Sequence, residues 1–227
     1  MNQGSSPVGE LLSFSVDDGL RVSARFALPA AARACYVLAH GAGAGMEHPF
    51  MRAMAAGLAE RGIATLRYQF PYMERRARRP DPPALCHATV RAAIAACSRR
   101  TSLPLIAGGR SFGGRMTSQA QAEERLPGVR GLAFLGFPLH PPGKPSVERA
   151  AHLADVKVPM LFLQGSKDEF ADLALLEPMV AKLGAEATLR LFEHADHSFH
   201  VPAKSGRKDA DVLSGVLDTL TAWIEDV

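Results

Sequence analysis

From about residue 35 onward, short apolar runs alternate with longer segments of helical period, and this alternation limits the possible folds more than any other feature. The apolar runs predict strands at residues 35–40, 63–70, 103–109, 129–137, 159–165 and 187–193. The segments between and after them predict helices at about residues 50–62, 84–99, 112–124, 146–153, 171–183 and 208–225. Strands joined through helices require right-handed crossovers, a mostly parallel central sheet and helices on both faces. The fold class predicted is therefore α/β.

The first strand-like segment, residues 11–29, has a different pattern. Apolar and polar residues alternate on both sides of Asp18-Gly19, a typical two-residue turn, which predicts an N-terminal antiparallel hairpin. No repeat or low-complexity linker divides the chain. We therefore expect residues 1–227 to form a single α/β domain.

Composition excludes several classes of function. Hydrophobic residues make up 47% of the 227 residues, which is typical of a globular protein with a full core. A formal net charge of +3 gives no reason to expect nucleic-acid binding. No apolar run approaches the roughly 20 residues of a membrane span, and the start, MNQGSSPVGE, lacks the features of a signal peptide. We expect a cytoplasmic protein that binds neither membranes nor nucleic acid.

The three cysteines, Cys35, Cys86 and Cys97, are an odd number without a C-x-x-C pair. This argues against a zinc site or a disulfide framework, and we expect all three in the core. Neither a metal nor an organic cofactor is expected.

A serine among glycines stands directly between a predicted strand and a predicted helix. Residues 109–113, Gly-Arg-Ser-Phe-Gly, match G-x-S-x-G in the strand–turn–helix context that this motif requires. A sharp turn there would expose the hydroxyl of Ser111, and the glycines would allow neighbouring chains to pass closely. A glycine-rich packing loop is the alternative.

A nucleophilic serine needs a base, and the base needs an orienting acid. Asp168 follows a predicted strand and is our candidate acid, with Glu169 and Asp172 as rivals that would otherwise be solvated acids at a helix start. His197 follows the last strand and is our candidate base, ahead of His194 and His200. Each candidate lies on a loop after a strand, where ligands bind in parallel sheets.

The loop HGAGAG, residues 40–45, follows the first parallel strand. We expect an oxyanion hole made of the N–H groups of Ala42 and Phe112. HGAGAG lacks the lysine of a phosphate-binding P-loop and the register of a dinucleotide-binding loop. His40 is interpreted as a structural residue that fixes this loop.

HGAGAG, GGRSFGGR, FPLHPPGKP, LFLQGSKDEF and HADHSF together resemble the α/β-hydrolase superfamily, from about Val37 to the last helix. Within it the chain looks like the small, lidless, dienelactone-hydrolase-like branch, related to a subunit of the nonspecific-lethal chromatin complex and a testis-expressed protein. The resemblance implies a Ser111–Asp168–His197 triad. True dienelactone hydrolases use a cysteine nucleophile and lipases an HGGG loop, so neither substrate is carried over. Some members serve as interaction modules.

Two segments bear on the substrate. Residues 137–153 are too short for a large lid, which predicts an open site for a small soluble substrate. Arg75 and Arg76, in an arginine-rich loop on the active-site side, and Arg110 beside the serine are candidates for binding an anionic group. For the loop, the alternatives are a solvated charged segment or packing by the arginine stems, and for Arg110 the alternative is a salt bridge within the fold.

The sequence thus predicts a serine hydrolase of the carboxylesterase type that cleaves an ester or similar acyl bond. The alternatives are a peptidase, a thioesterase or an acyltransferase on the same triad, or a non-catalytic protein-interaction module. The sequence gives no oligomeric state.

Overall fold

The structure, a computed structural model, describes residues 9–227. In this part of the chain eight strands form one sheet in the order β1-β2-β4-β3-β5-β6-β7-β8. Their bounds are β1 Glu10–Asp17, β2 Leu20–Ala27, β3 Ala34–Ala39, β4 Ile63–Tyr68, β5 Leu105–Arg110, β6 Val129–Leu135, β7 Met160–Gly165 and β8 Ala187–Phe192.

The sheet is mostly parallel, as predicted. Strands β1 and β2 form the predicted antiparallel hairpin, in which Asp17 pairs with Leu20 across the Asp18-Gly19 turn. Strand β2 then pairs antiparallel with β4, and all other neighbouring strands are parallel. The carboxyl ends of β3 to β8 therefore meet at one edge of the sheet.

Six α-helices of the described residues cover the sheet on both faces, which confirms the predicted layers. They are α1 Pro49–Glu60, α2 Pro71–Glu74, α3 Pro83–Ser98, α4 Phe112–Glu123, α5 Leu173–Lys182 and α6 Asp209–Asp226.

Successive side chains along a strand pack alternately into two hydrophobic cores, one on each face of the sheet. On β3, Cys35 and Val37 pack in the core shared with α3, α4 and α5, whereas Tyr36 and Leu38 pack in the core shared with α1 and α6. The three cysteines are buried, as predicted.

Three details differ from the predicted elements. The short helix predicted at about residues 146–153 is a 3₁₀ helix and spans Glu148–Asp155. The arginine-rich loop contains the short helix α2, which begins with a proline at its first position, where the missing N–H is not needed. Helix α5 begins at Leu173 because the carboxylate of Asp172 caps it by accepting from the N–H of Ala174.

The connection from β6 to β7, residues 136–159, contains no helix apart from Glu148–Asp155, so no lid covers the sheet edge there. Within residues 9–227, no helix is both long and apolar enough to cross a membrane.

Candidate active site

Ser111 lies in the tight turn between β5 and α4. Its backbone has φ 49° and ψ −118°, a conformation that L-residues rarely adopt. A β-carbon on Gly109 would lie 2.3 Å from the carbonyl oxygen of Ala39, and one on Gly113 would lie 2.5 Å from that of His40. The two glycines therefore let the backbone of the preceding strand and loop pass directly beneath the serine.

The structure brings together the three side chains that the sequence places on separate loops. The Nδ1 of His197 lies 2.7 Å from Oδ2 of Asp168, and its Nε2 lies 2.8 Å from Oγ of Ser111. An ionised carboxylate only accepts hydrogen bonds, so Nδ1 carries the proton and Nε2 is left as an acceptor for the serine hydroxyl. This arrangement can take a proton from Ser111 and stabilise the resulting imidazolium.

Asp168 is buried and held at both oxygens. Oδ1 accepts from the backbone N–H of Phe170, and Oδ2 accepts from the side-chain amide of Gln164 as well as from His197. The ring of Phe170 covers the imidazole of His197, with 4.4 Å between the ring centroids. The acid and the base therefore have fixed orientations.

The alternative acids and histidines are not part of this hydrogen-bonded triad. Asp172 caps α5, and Glu169 is exposed. His194 follows β8 with a positive φ of 67°, and its backbone N–H donates to Oγ of Ser166. His200 is exposed, with Nδ1 2.8 Å from Oδ2 of Asp209.

The loop after β3 is fixed by His40, which is fully buried. Its Nδ1–H donates to the carbonyl of Gly41, and its Nε2 accepts from the N–H of Phe70. Burial lowers the pKa of His40 to about 4, against the opposing effect of its bond to Gly41, so the ring is neutral at pH 7. The structural interpretation of His40 therefore agrees with its contacts.

The two N–H groups expected to form an oxyanion hole face no acceptor within the described chain. The carbonyl oxygens of Gly41 and Ala42 accept hydrogen bonds from the hydroxyl of Tyr72, at 3.5 and 2.8 Å. Because a trans peptide directs its C=O and N–H to opposite sides, the N–H of Ala42 points away from Tyr72. Phe112 is the first residue of α4, so its N–H has no acceptor within the helix.

The predicted arginines have different surroundings. The guanidinium of Arg110 donates to Oγ of Ser198, at 2.8 Å, and lies 4.6 Å from the ring centroid of Phe50. Arg75 is exposed and pairs with Asp81, and Arg76 is exposed at the end of α2. Arg110 thus joins the loop of His197 to α1, whereas Arg75 is engaged within its own loop.

Sequence reasoning missed Gln164 and Phe170. Gln164 is a polar residue near the end of the apolar strand LFLQG, immediately before the loop of Asp168, and that position was the available signal. Among residues 9–227, no group of three or more His, Cys, Asp or Glu is placed to hold a metal ion.

Comparison with known proteins agrees with this architecture. The family model described as an alpha/beta hydrolase domain matches residues 32–225. A dienelactone hydrolase from Anabaena variabilis is 23% identical, with a TM-score of 0.74 over 96% of this chain and 98% of that one. An α/β serine hydrolase without lid from Xanthomonas campestris is 22% identical, with a TM-score of 0.73 over 96% and 95%.

The esterase domain of a Rhodothermus marinus protein is also similar, at 18% identity and a TM-score of 0.70, over 94% of this chain and 96% of that one. At these identities the solved structures support the fold alone, and the family model shows that the chain belongs to the α/β-hydrolase family. The kinship with the chromatin-complex subunit stays a prediction. The chain is therefore a small, lidless member of the α/β-hydrolase family.

Proposed function

We propose that the protein is a serine hydrolase that cleaves an ester or similar acyl bond of a small soluble substrate. The observation that carries the proposal is the continuous hydrogen-bonded chain from Asp168 through His197 to Ser111, with distances of 2.7 and 2.8 Å. The tautomer that this chain imposes on His197 is the one a general base requires.

In the proposed mechanism, Oγ of Ser111 attacks the substrate carbonyl while Nε2 of His197 takes the hydroxyl proton. Asp168 accepts from Nδ1–H and stabilises the imidazolium. The tetrahedral intermediate collapses when His197 returns the proton to the leaving group, which gives an acyl-enzyme. Water, activated by the same histidine, then releases the acid and restores Ser111.

The oxyanion of each tetrahedral intermediate is proposed to bind the N–H groups of Ala42 and Phe112. These donors are suited to the role because each lacks an acceptor in the described chain, and because the Gly41 and Ala42 carbonyls are held by Tyr72. Fixed donors of this kind stabilise developing charge without reorganisation.

The decisive experiment is labelling with a fluorophosphonate probe, which phosphonylates an activated serine. We expect labelling of the wild-type protein, and its loss in Ser111→Ala and His197→Gln. His200→Gln, three residues from His197 but directed to Asp209, is the matched control and should label normally. A screen of short-chain para-nitrophenyl esters would then test turnover, in which Ser111→Ala should be on the order of 10⁴- to 10⁶-fold slower.

Absence of labelling in folded wild-type protein would refute the proposal and favour the alternative of a protein-interaction module. If the probe labels Ser111, matched oxygen esters, thioesters and amides would separate an esterase from a thioesterase or peptidase. Transfer to an added alcohol would identify an acyltransferase.

A further inference from the structure

Arg115 lies in the first turn of α4, four residues after Ser111. Side chains of a helix lean toward its N-terminus, so this one returns toward the turn that holds the serine. Its guanidinium carbon lies 5.9 Å from the ring centroid of Phe112, the residue proposed to supply an oxyanion donor. The positive charge of Arg115 is therefore directed to the active-site end of α4.

This guanidinium has no anionic partner in residues 9–227. Its Nε is buried and makes no hydrogen bond, and its side chain takes part in no ion pair of the described chain. Burial lowers the pKa of Arg115. A partly buried cation without a counter-charge is costly in a folded protein, so its presence calls for an explanation.

A second arginine, Arg149, lies on the 3₁₀ helix that packs against α4. The hydroxyl of Ser118 meets Nε2 of His152 at 2.8 Å, which holds the 3₁₀ helix Glu148–Asp155 against α4. Arg115 lies three residues before Ser118, and Arg149 lies three residues before His152. Each arginine is therefore about one turn nearer to the sheet edge that carries the active site. The charge of Arg149 further lowers the pKa of Arg115, in keeping with this placement.

His152, Cys86 and Asp81 do not neutralise Arg115. Burial and Arg115 lower the pKa of His152 to about 4, so it is uncharged at pH 7. Burial and Asp81 raise the pKa of the Cys86 thiol to about 12, so it supplies no thiolate. Asp81 itself is engaged by the side chain of Arg75 and the N–H of Tyr72.

We infer that Arg115 and Arg149 bind an anionic group, a carboxylate or a phosphate, on the substrate that Ser111 attacks. The guanidinium fork matches both kinds of oxyanion, and a partly buried cation without a counter-charge gains most when an anion binds. The inference rests on the proposed function, and it narrows the substrate to acyl compounds that carry a negative charge near the scissile bond. It also assigns the anion to α4 and the 3₁₀ helix, rather than to the loop of Arg75 and Arg76.

The test compares two esters of similar length, para-nitrophenyl hemiglutarate, which ends in a carboxylate, and para-nitrophenyl hexanoate, which is neutral. The readout is the ratio of their kcat/KM values, corrected with Ser111→Ala as the blank for spontaneous hydrolysis. We expect the wild-type ratio to fall about 10- to 100-fold in Arg115→Gln and in Arg149→Gln. Arg115→Lys, which keeps the charge but not the fork, should retain an intermediate ratio.

Arg125→Gln is the matched control, because it removes one exposed arginine just beyond the opposite end of α4. A ratio unchanged in both Arg115→Gln and Arg149→Gln would overturn the inference. An equal fall in Arg125→Gln would also overturn it, because the overall charge of the protein would then explain the preference.

A second measurement is independent of turnover. The thermal midpoint of Ser111→Ala should rise with glutarate or with inorganic phosphate, and the rise should be lost when Arg115→Gln is added. The better of the two anions would identify the group that the arginines prefer. If both esters were hydrolysed but the anions did not raise the thermal midpoint and the ratio of kcat/KM values did not depend on Arg115, only the anion site would be refuted. If the anions raised the thermal midpoint but neither ester was hydrolysed, only the proposed function would be refuted.

Discussion

At the scale of single residues, Gln164 uses both ends of its amide. Its Oε1 accepts from the backbone N–H of Phe137, which fixes the orientation of the amide, and its Nε2 therefore donates to Oδ2 of Asp168. The same carboxylate oxygen accepts from His197. Gln164 is therefore a positioning residue for the acid, and through the acid for the base.

Replacing Gln164 with leucine should reduce kcat on a short-chain ester by about 10- to 100-fold, because a small displacement of Asp168 misorients His197. The free energy of unfolding should also fall, by about 1–3 kcal/mol, since the N–H of Phe137 loses its acceptor. Kinetics and urea denaturation of the same preparation measure the two effects.

Gln121→Leu is the matched control for this variant. Gln121 is also buried, and its Oε1 accepts from the backbone N–H of Leu126 beyond the far end of α4. It should lose stability to a similar degree while keeping its kcat. If Gln164→Leu behaved in the same way as this control, the positioning role would be wrong.

At the scale of elements, Arg110 joins the loop of His197 to helix α1 through Ser198 and Phe50. Arg110→Met should lower kcat for a neutral ester about tenfold with little change in KM, because the histidine loop loses an anchor. Ser198→Ala removes the acceptor without changing the charge and should act in the same direction, more weakly. A rise in KM confined to an anionic ester would instead support the substrate-binding role that the sequence suggests.

The elements also show what sequence patterns can and cannot reveal. Apolar runs and helical periods are local, so the strands, the main helices and the loops of Ser111, Asp168 and His197 could be placed from them. The short helix α2 has too few residues for a clear period, and in the predicted short helix at residues 146–153 the period does not distinguish a 3₁₀ helix from an α-helix. The partners of Gln164 and the packing of the 3₁₀ helix against α4 depend on contacts between distant segments, which no local pattern contains.

At the scale of the whole molecule, the strand order determines where the loops meet. After β3 the chain crosses to β4 on one side, and then returns to place β5 on the other side of β3. The loops that follow β3 and β5 therefore diverge at the switch point of the sheet, where α/β proteins bind ligands. Ala42 and Ser111 each follow the carboxyl end of one of these two adjacent strands. The strand order therefore places the N–H of Ala42 and the side chain of Ser111 at the same point of the sheet edge.

The stability of the whole fold should depend on pH through His40, which burial keeps neutral within the protein. Its pKa is about 4 in the folded state and about 6.5 in an unfolded chain. As the pH falls from 6.5 to 4, the unfolded chain takes up a proton that the folded protein refuses, and the free energy of unfolding decreases. This group should account for about 3 kcal/mol over that interval, with full stability present above pH 6.5.

Urea denaturation at a series of pH values, in wild type and in His40→Gln, isolates this contribution, because every other titrating group is common to both proteins. The decrease between pH 6.5 and 4 should be shallower in His40→Gln, even though that variant is less stable at pH 7. His200 offers a control of opposite sign, since its bond to Asp209 raises its pKa and favours folding at pH values below 6.5. His200→Gln should therefore show a decrease at least as steep as wild type, and parallel curves for wild type and His40→Gln would show that His40 is not held neutral by the fold.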